Sequence, residues 1–340
     1  MRISRILSII LACSLPAFSW AAQAAAETFA NRTLPDWRKL SFTVENDFGF
    51  SDRYYTNGLK LSYTQSGENL PTSFLQFAAL KYIAPADAQA YESISIGQGM
   101  YVPTDIENPN PPTWDRPYAG WLYAGFGSHL ATCDTLDSFT VNLGVVGPIS
   151  LAEDAQKFYH SIIDAHWPMG WHEQIKNEFG FVFSYRHTQR IVRTKIGKNF
   201  DFDILATGAA DLGNVATRAE AGGLLRFGLN MPYNFASNAI TYSDGADVQW
   251  RTGEEADWHL YGYAGGVARL VGYDITLNGN AFTSSRSVTP KWLVGDFRAG
   301  ISARLMRTEL ELAYTLRSAE FNGQSHPVHM FWSATLKYAF

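Results

Sequence analysis

The chain has 340 residues, 46% of them apolar, 14% aromatic and only 17% charged, with a formal net charge of −5. Mean hydropathy of −0.14 is too polar for a bundle of membrane helices, while the apolar share is too high for disorder. Two cysteines exclude a disulfide scaffold, and 27 basic against 32 acidic residues, without a basic run, give no electrostatic basis for a nucleic-acid partner.

Residues 1–26 read as a secretory signal peptide. Arg2 and Arg5 form its positive start and Ile6 to Phe18 its apolar stretch. Ala22-Gln23-Ala24 or Ala24-Ala25-Ala26 supplies the small residues for cleavage. The stretch is too short for a membrane anchor, and Cys13 lies too early in it for lipid modification. Without Arg2 and Arg5, residues 27–340 hold 25 of the 27 basic residues and all 32 acidic ones, a net charge of −7. Their one cysteine, Cys133, is expected as a small buried residue.

From there the period is two. Leu40, Phe42 and Val44 alternate with Ser41, Thr43 and Glu45; Leu59, Leu61 and Tyr63 alternate with Lys60, Ser62 and Thr64. Leu310, Leu312, Tyr314 and Leu316 alternate with Glu309, Glu311 and Thr315. At the C-terminus Met330, Trp332, Ala334, Leu336, Tyr338 and Phe340 share one face, opposite Ser333, Thr335 and Lys337. Soluble sandwiches alternate too. Strands long enough for a tilted membrane span, aromatic residues near their ends and a closing strand that ends in Phe340 favour an all-β, transmembrane antiparallel β-barrel. Twelve strands are expected, near 37–46, 55–65, 91–102, 118–130, 137–146, 177–190, 199–210, 214–228, 257–273, 289–305, 307–317 and 328–340. An even number leaves both termini in the periplasm. Residues 27–340 then form a single barrel, and the connections 47–54, 103–117, 147–176, 211–213, 229–256 and the one at 306 are assigned to the outer side.

One helix interrupts the strands, over 151–166 in an extracellular loop. Ser150 is placed as its N-cap, with Glu153 completing a capping box, and Ala155, Tyr159, Ile162 and Ile163 as its apolar side. Gln156 and His160, four apart, share a face, and Pro168 and Gly170 end the element. Parity aims Asp47 and Thr56 inward near the outer rim. A carboxylate, a hydroxyl and a helix-borne imidazole then meet. A neutral imidazole accepts a proton from water, and a carboxylate holds a hard cation that polarises an ester carbonyl.

Several short motifs occur in order: Glu45-Asn46-Asp47, Asp52-Arg53-Tyr54-Tyr55-Thr56-Asn57-Gly58, Ile96-Gly97-Gln98 with Tyr101-Val102-Pro103, and Asp115-Arg116-Pro117-Tyr118-Ala119-Gly120. Gln156 and His160 follow, then Gly170-Trp171-His172-Glu173-Gln174. Together they resemble the LpxR family of outer-membrane lipid A deacylases, most strongly over 40–180. The resemblance implies a twelve-stranded barrel and calcium-dependent removal of the 3′-linked acyloxyacyl group from lipid A. It implies a site of Asn46, Asp47, Thr56, Gln156 and the catalytic His160, acting on lipopolysaccharide. A monomeric barrel is expected. Some relatives carry a glutamate six residues after the histidine, where this chain has His166. Asp164 or Glu173 is a candidate to replace that carboxylate, and Asp47 and His166 are the candidate metal neighbours. Ca²⁺ is favoured over Zn²⁺, because a base must stay free of metal. Residues 103–114 lack the basic groups that some relatives place there, leaving Arg116 as the nearest cation.

Two other classes compete. A pore requires a ring of lumenal charge, and only scattered Lys60, Glu309, Glu311 and Lys337 stand out. A serine phospholipase would use Ser161, but neighbours on a helix point apart. The barrel reading predicts a β-rich circular dichroism spectrum and heat-modifiable gel migration after detergent extraction; a helical spectrum, or full solubility without detergent, contradicts it.

Overall fold

The computed structural model describes residues 37–47, 52–67, 88–198, 200–235, 248–251 and 255–340. The expected signal peptide lies outside the described residues. Twelve antiparallel strands close into one barrel: β1 (Arg38–Asn46), β2 (Tyr54–Ser66), β3 (Gln89–Val102), β4 (Ala119–Ala131), β5 (Thr135–Val146), β6 (Glu178–Ile196), β7 (Phe200–Gly213), β8 (Ala216–Leu229), β9 (Trp258–Asp274), β10 (Leu293–Leu305), β11 (Thr308–Ser318) and β12 (Val328–Ala339). Closure is the pairing of β1 with β12, from Lys39 opposite Ala339 to Asn46 opposite Trp332. The Phe340 amide donates to the Arg38 carbonyl at 2.9 Å, which fastens the chain end to the first strand. Closing the sheet leaves no edge, so every strand finds two backbone partners without water.

The alternation sorts side chains as their polarity requires. Leu40, Phe42, Leu61, Ile94, Ile96, Leu336 and Tyr338 point out of the barrel and are exposed, whereas Ser41, Thr43, Glu45, Thr335 and Lys337 are buried in the lumen. The lumenal charges are paired. Lys337 Nζ lies 2.7 Å from Glu309 and 2.9 Å from Glu311, so these residues form a cluster rather than the scatter that linear sequence suggests. Arg298 lies between Glu311 and Glu45, while Arg317 binds Asp296 and Glu320. Arg218, Arg186 and Arg269 converge on Glu220, and Arg190 and Arg226 on Asp203. Buried charge demands such pairing.

Two connections differ from expectation. The β8–β9 connection was assigned to the outer side, yet its described parts lie at the terminal end of the barrel. Tyr91 donates to the Gln249 carbonyl, Gln89 and Arg251 bond reciprocally, and Phe235 and Val248 pack with Trp37 and Tyr91. The connection follows an even-numbered strand, so it returns to the end where β1 begins, as does the β10–β11 turn at Met306. Cys133, in the β4–β5 turn, is half-buried rather than buried.

At the other end the connections knit together. Arg286 reaches Glu173 and the carbonyls of Pro111 and Pro112, Asn280 bonds Lys176 in both directions, and Arg116 binds Glu320 and Thr276. Asp274 caps a single helical turn, α2 (Ile275–Asn278), by accepting the Thr276 amide.

The longer helix, α1 (Ala152–Ile163), is shorter than the expected 151–166 and starts differently. Leu151 is its N-cap, in the left-handed region at φ 59°, with no side-chain cap. Ser150 belongs to a preceding 3-10 turn, where its hydroxyl donates to the Gly147 carbonyl. The buried residues of α1 are Ala152, Gln156 and His160; of the expected apolar side, Ala155, Tyr159 and Ile163 are half-buried and Ile162 is exposed.

The paired charges brace the lumen with salt bridges along its wall. Purified barrel in planar bilayers is predicted to give no steady conductance; sustained channel steps contradict this packing.

Candidate functional site

The site forms on the outside of the barrel wall, beneath α1. Gly120 shares a face with Leu122 and Ala124, the side opposite lumenal Trp121 and Tyr123. A Cβ at Gly120 would stand 2.1 Å from the Ser150 hydroxyl and 2.4 Å from the Ala152 Cβ. Only glycine lets the helix start come so near. Gln98, on the outward face of β3 beyond Ile94 and Ile96, donates to the Ser150 carbonyl at 2.6 Å. Above it Met100, Val102, Ile106, Tyr118, Ala152 and Trp171 form a small apolar cluster outside the lumen. The helix then runs from the outer end of β4 across β3 towards β2, where Gln156 and His160 meet the β1–β2 connection.

Strand geometry at that meeting place departs from simple alternation. Tyr55 pairs with Tyr101 and Asn57 with Met100, which leaves Thr56 in a β-bulge. The bulge re-aims the chain. Tyr55 stays lumenal and donates to Glu45 at 2.7 Å, but Thr56 Oγ1 donates to Asp52 Oδ1 at 2.7 Å and lies 3.2 Å from Asp47 Oδ1. The inward aim expected of Thr56 is therefore corrected: its nearer partner, Asp52, contacts Gln156 and His160 of the helix. Asp47 lies just past the end of β1, and its other oxygen accepts the Arg53 amide at 2.9 Å. Asn46 takes the outward face of β1, opposite Asn57, and is buried.

Asp52 joins the strands to the helix. Its Oδ1 accepts from Gln156 Nε2 at 3.3 Å and its Oδ2 lies 3.3 Å from His160 Nε2. Burial raises its carboxyl above the ordinary value, against the opposing pull of Thr56, His160 and Gln156. Gln156 is itself held, its Oε1 accepting the Trp171 indole N–H at 2.7 Å. His160 Nδ1 lies 2.5 Å from the backbone carbonyl of His166. A carbonyl only accepts, so Nδ1 carries the hydrogen and the neutral ring keeps its lone pair on Nε2, facing Asp52.

Asn46, Asp47, Thr56, Gln156 and His160 are thus in one neighbourhood. The His166 side chain is outside it: the ring is 76% exposed and pairs with Glu107 at 3.1 Å, so His166 contributes its carbonyl. Glu173 is engaged by Arg286, and exposed Asp164 ends α1 in the left-handed region. The carboxylate beside His160 is Asp52, the first residue of the Asp52–Gly58 motif, and no sequence spacing marks it. Only the fold brings it to a residue 108 positions later. Arg116 is fully buried against Glu320 and Tyr101, and so is structural rather than a phosphate ligand.

Among the described residues no three His, Cys, Asp or Glu side chains form a ready metal cluster. The donors present are nonetheless oxygen-rich: two carboxylates, Asp47 and Asp52, flank one hydroxyl. Oxygen donors suit Ca²⁺, completed by carbonyls and water, better than Zn²⁺. Ser161 is exposed and its hydroxyl donates to the Phe158 carbonyl, so it makes no dyad with His160.

Comparison with curated protein sequences finds no match. Among solved structures, LpxR from Salmonella typhimurium is similar at a TM-score of 0.72 and 21% identity, covering 88% of this chain and 99% of that one. The β domain of the Bordetella autotransporter BrkA (11% identity, 90% of this chain and 98% of that one) and an outer membrane channel from Pseudomonas putida (8%, 91% and 97%) both align at a TM-score of 0.42. Those two scores are too low to carry an argument. The family model described as outer membrane protein LpxR matches residues 6–340, and the chain belongs to this family of outer-membrane β-barrels.

Proposed function

We propose that this protein is a lipid A deacylase that hydrolyses the ester of the 3′-linked acyloxyacyl group. The observation that carries the reading is the held imidazole of His160, with Nδ1 on the His166 carbonyl and Nε2 facing Asp52, on the outer wall of a membrane barrel. An ester substrate anchored in the membrane reaches such a site from the side, without entering the lumen. Membership of the LpxR family supports the same substrate class.

In this reading His160 Nε2 takes a proton from water as the water oxygen attacks the ester carbonyl. The imidazolium so formed is stabilised by the Asp52 carboxylate. The carbon–oxygen bond to the sugar then breaks, and the same nitrogen returns the proton to the leaving sugar hydroxyl. Asp52 and Gln156 are positioning residues, because they act through the ring. The Asn46 amide is a donor for the negative charge that develops on the ester oxygen. Asp47, with Thr56, Asn46 and Asp52 near it, would hold Ca²⁺, which when bound supplies positive charge beside that oxygen.

The test is mass spectrometry of lipid A from cells that make the wild-type protein or its variants. Wild type removes the two-chain acyloxyacyl mass. His160→Ala lowers the rate by about 100-fold or more, and Asp52→Asn lowers kcat more than KM, each with the folded barrel retained. His166→Ala stays near wild type, since only its carbonyl is used. Chelation stops the reaction and Ca²⁺ restores it. Unchanged lipid A with folded wild-type protein, or full activity in His160→Ala, overturns the reading.

A further inference from the structure

The apolar residues of the α1 region are on its outside. Phe158 and Ile162, one turn apart, are 69% and 65% exposed, and Leu151, Trp167 and Met169 beside them are exposed too. A helix that hides glutamine and histidine and shows phenylalanine and isoleucine is not arranged for water.

Its height on the barrel identifies what covers it. The Ser150 carbonyl is bonded by Gln98, only two residues along β3 from lipid-facing Ile96, which is about 7 Å at the strand rise. On the other flank, exposed Phe179 of β6 pairs with Val145, immediately before the chain leaves β5 for α1. The apolar belt of the wall therefore climbs to the level of the helix and continues onto it. Lys157 lies 6.0 Å from the Trp167 ring and binds Glu153, a cation and an aromatic of the kind found where hydrocarbon meets headgroups.

We infer that α1 is an interfacial helix, seated in the outer leaflet with Phe158 and Ile162 among the acyl chains of the surrounding lipid. Asp154, Ser161 and Asp164 then face the headgroup layer. The inference does not depend on the proposed chemistry, since it concerns only depth.

Spin labels test it. Single cysteines replace Phe158 or Ile162 in a chain whose Cys13 and Cys133 are serine, and the refolded barrels are placed in vesicles of lipopolysaccharide and phosphatidylethanolamine. Ile96→Cys marks the lipid-facing wall and Asn110→Cys the aqueous loops; heat-modifiable migration establishes that each variant is folded. Power saturation compares accessibility to oxygen with that to a water-soluble nickel chelate. The expected result is that labels at 158 and 162 favour oxygen severalfold, as at 96. Labels that favour the nickel chelate, as at 110, overturn the inference. So does strong dipolar coupling between labels on two molecules, which would mean that a second copy covers the stripe.

Discussion

The site depends on the close approach of a helix start to a strand. At Gly120 there is no room for a side chain, and that lets Ser150 and Ala152 lie against the outer wall of β4. Everything in the site follows from this seat. With Ala152 fixed on the wall, Gln156 and His160 follow on the same helix face at successive turns and are carried to the β1–β2 connection. There Asp52 meets both, and the bulge at Thr56 supplies the hydroxyl that ties Asp52 to the first strand. The Trp171 indole anchors Gln156 from the far side. A displaced helix start would shift all of these distances together.

The barrel keeps this polar group apart from its other polar group, the lumenal charges. Lys337, Glu309, Glu311, Arg298 and Glu45 lie on the inner face, Asn46 and the helix residues on the outer. One residue step along β1, from Glu45 to Asn46, crosses from one to the other. A buried salt-bridge ladder gives a rigid wall at a cost in desolvation that pairing offsets. A rigid wall suits a site assembled against its outside.

Much of this was legible in the alternation. Leu40 to Glu45 and Met330 to Phe340 each declare two faces, and their pairing closes the barrel. The family motifs alone group Asn46, Asp47, Thr56, Gln156 and His160. What alternation cannot express is a change in its own count. The bulge at Thr56 inserts one residue and breaks the parity argument. The count of twelve strands holds, but the β8–β9 connection follows an even-numbered strand and so belongs to the end where β1 begins. Helical spacing placed Gln156 and His160 on one face but could not say which face is buried. The structure buries the face of Gln156 and His160 and leaves Phe158 and Ile162 exposed. Asp52 was hidden because its contact with His160 depends on where the helix sits, which in turn depends on Gly120.

The central claim, that helix and wall together make the site, is tested most directly at Gly120. Gly120→Val touches no group given a chemical part, yet pushes Ser150 and Ala152 outward. Gly295→Val, where a Cβ meets nothing within 4 Å, is the control on the same barrel. The measurement is the fraction of lipid A deacylated in cells with equal amounts of folded protein. The account predicts a large loss for Gly120→Val and none for Gly295→Val. Full deacylation by Gly120→Val would contradict it.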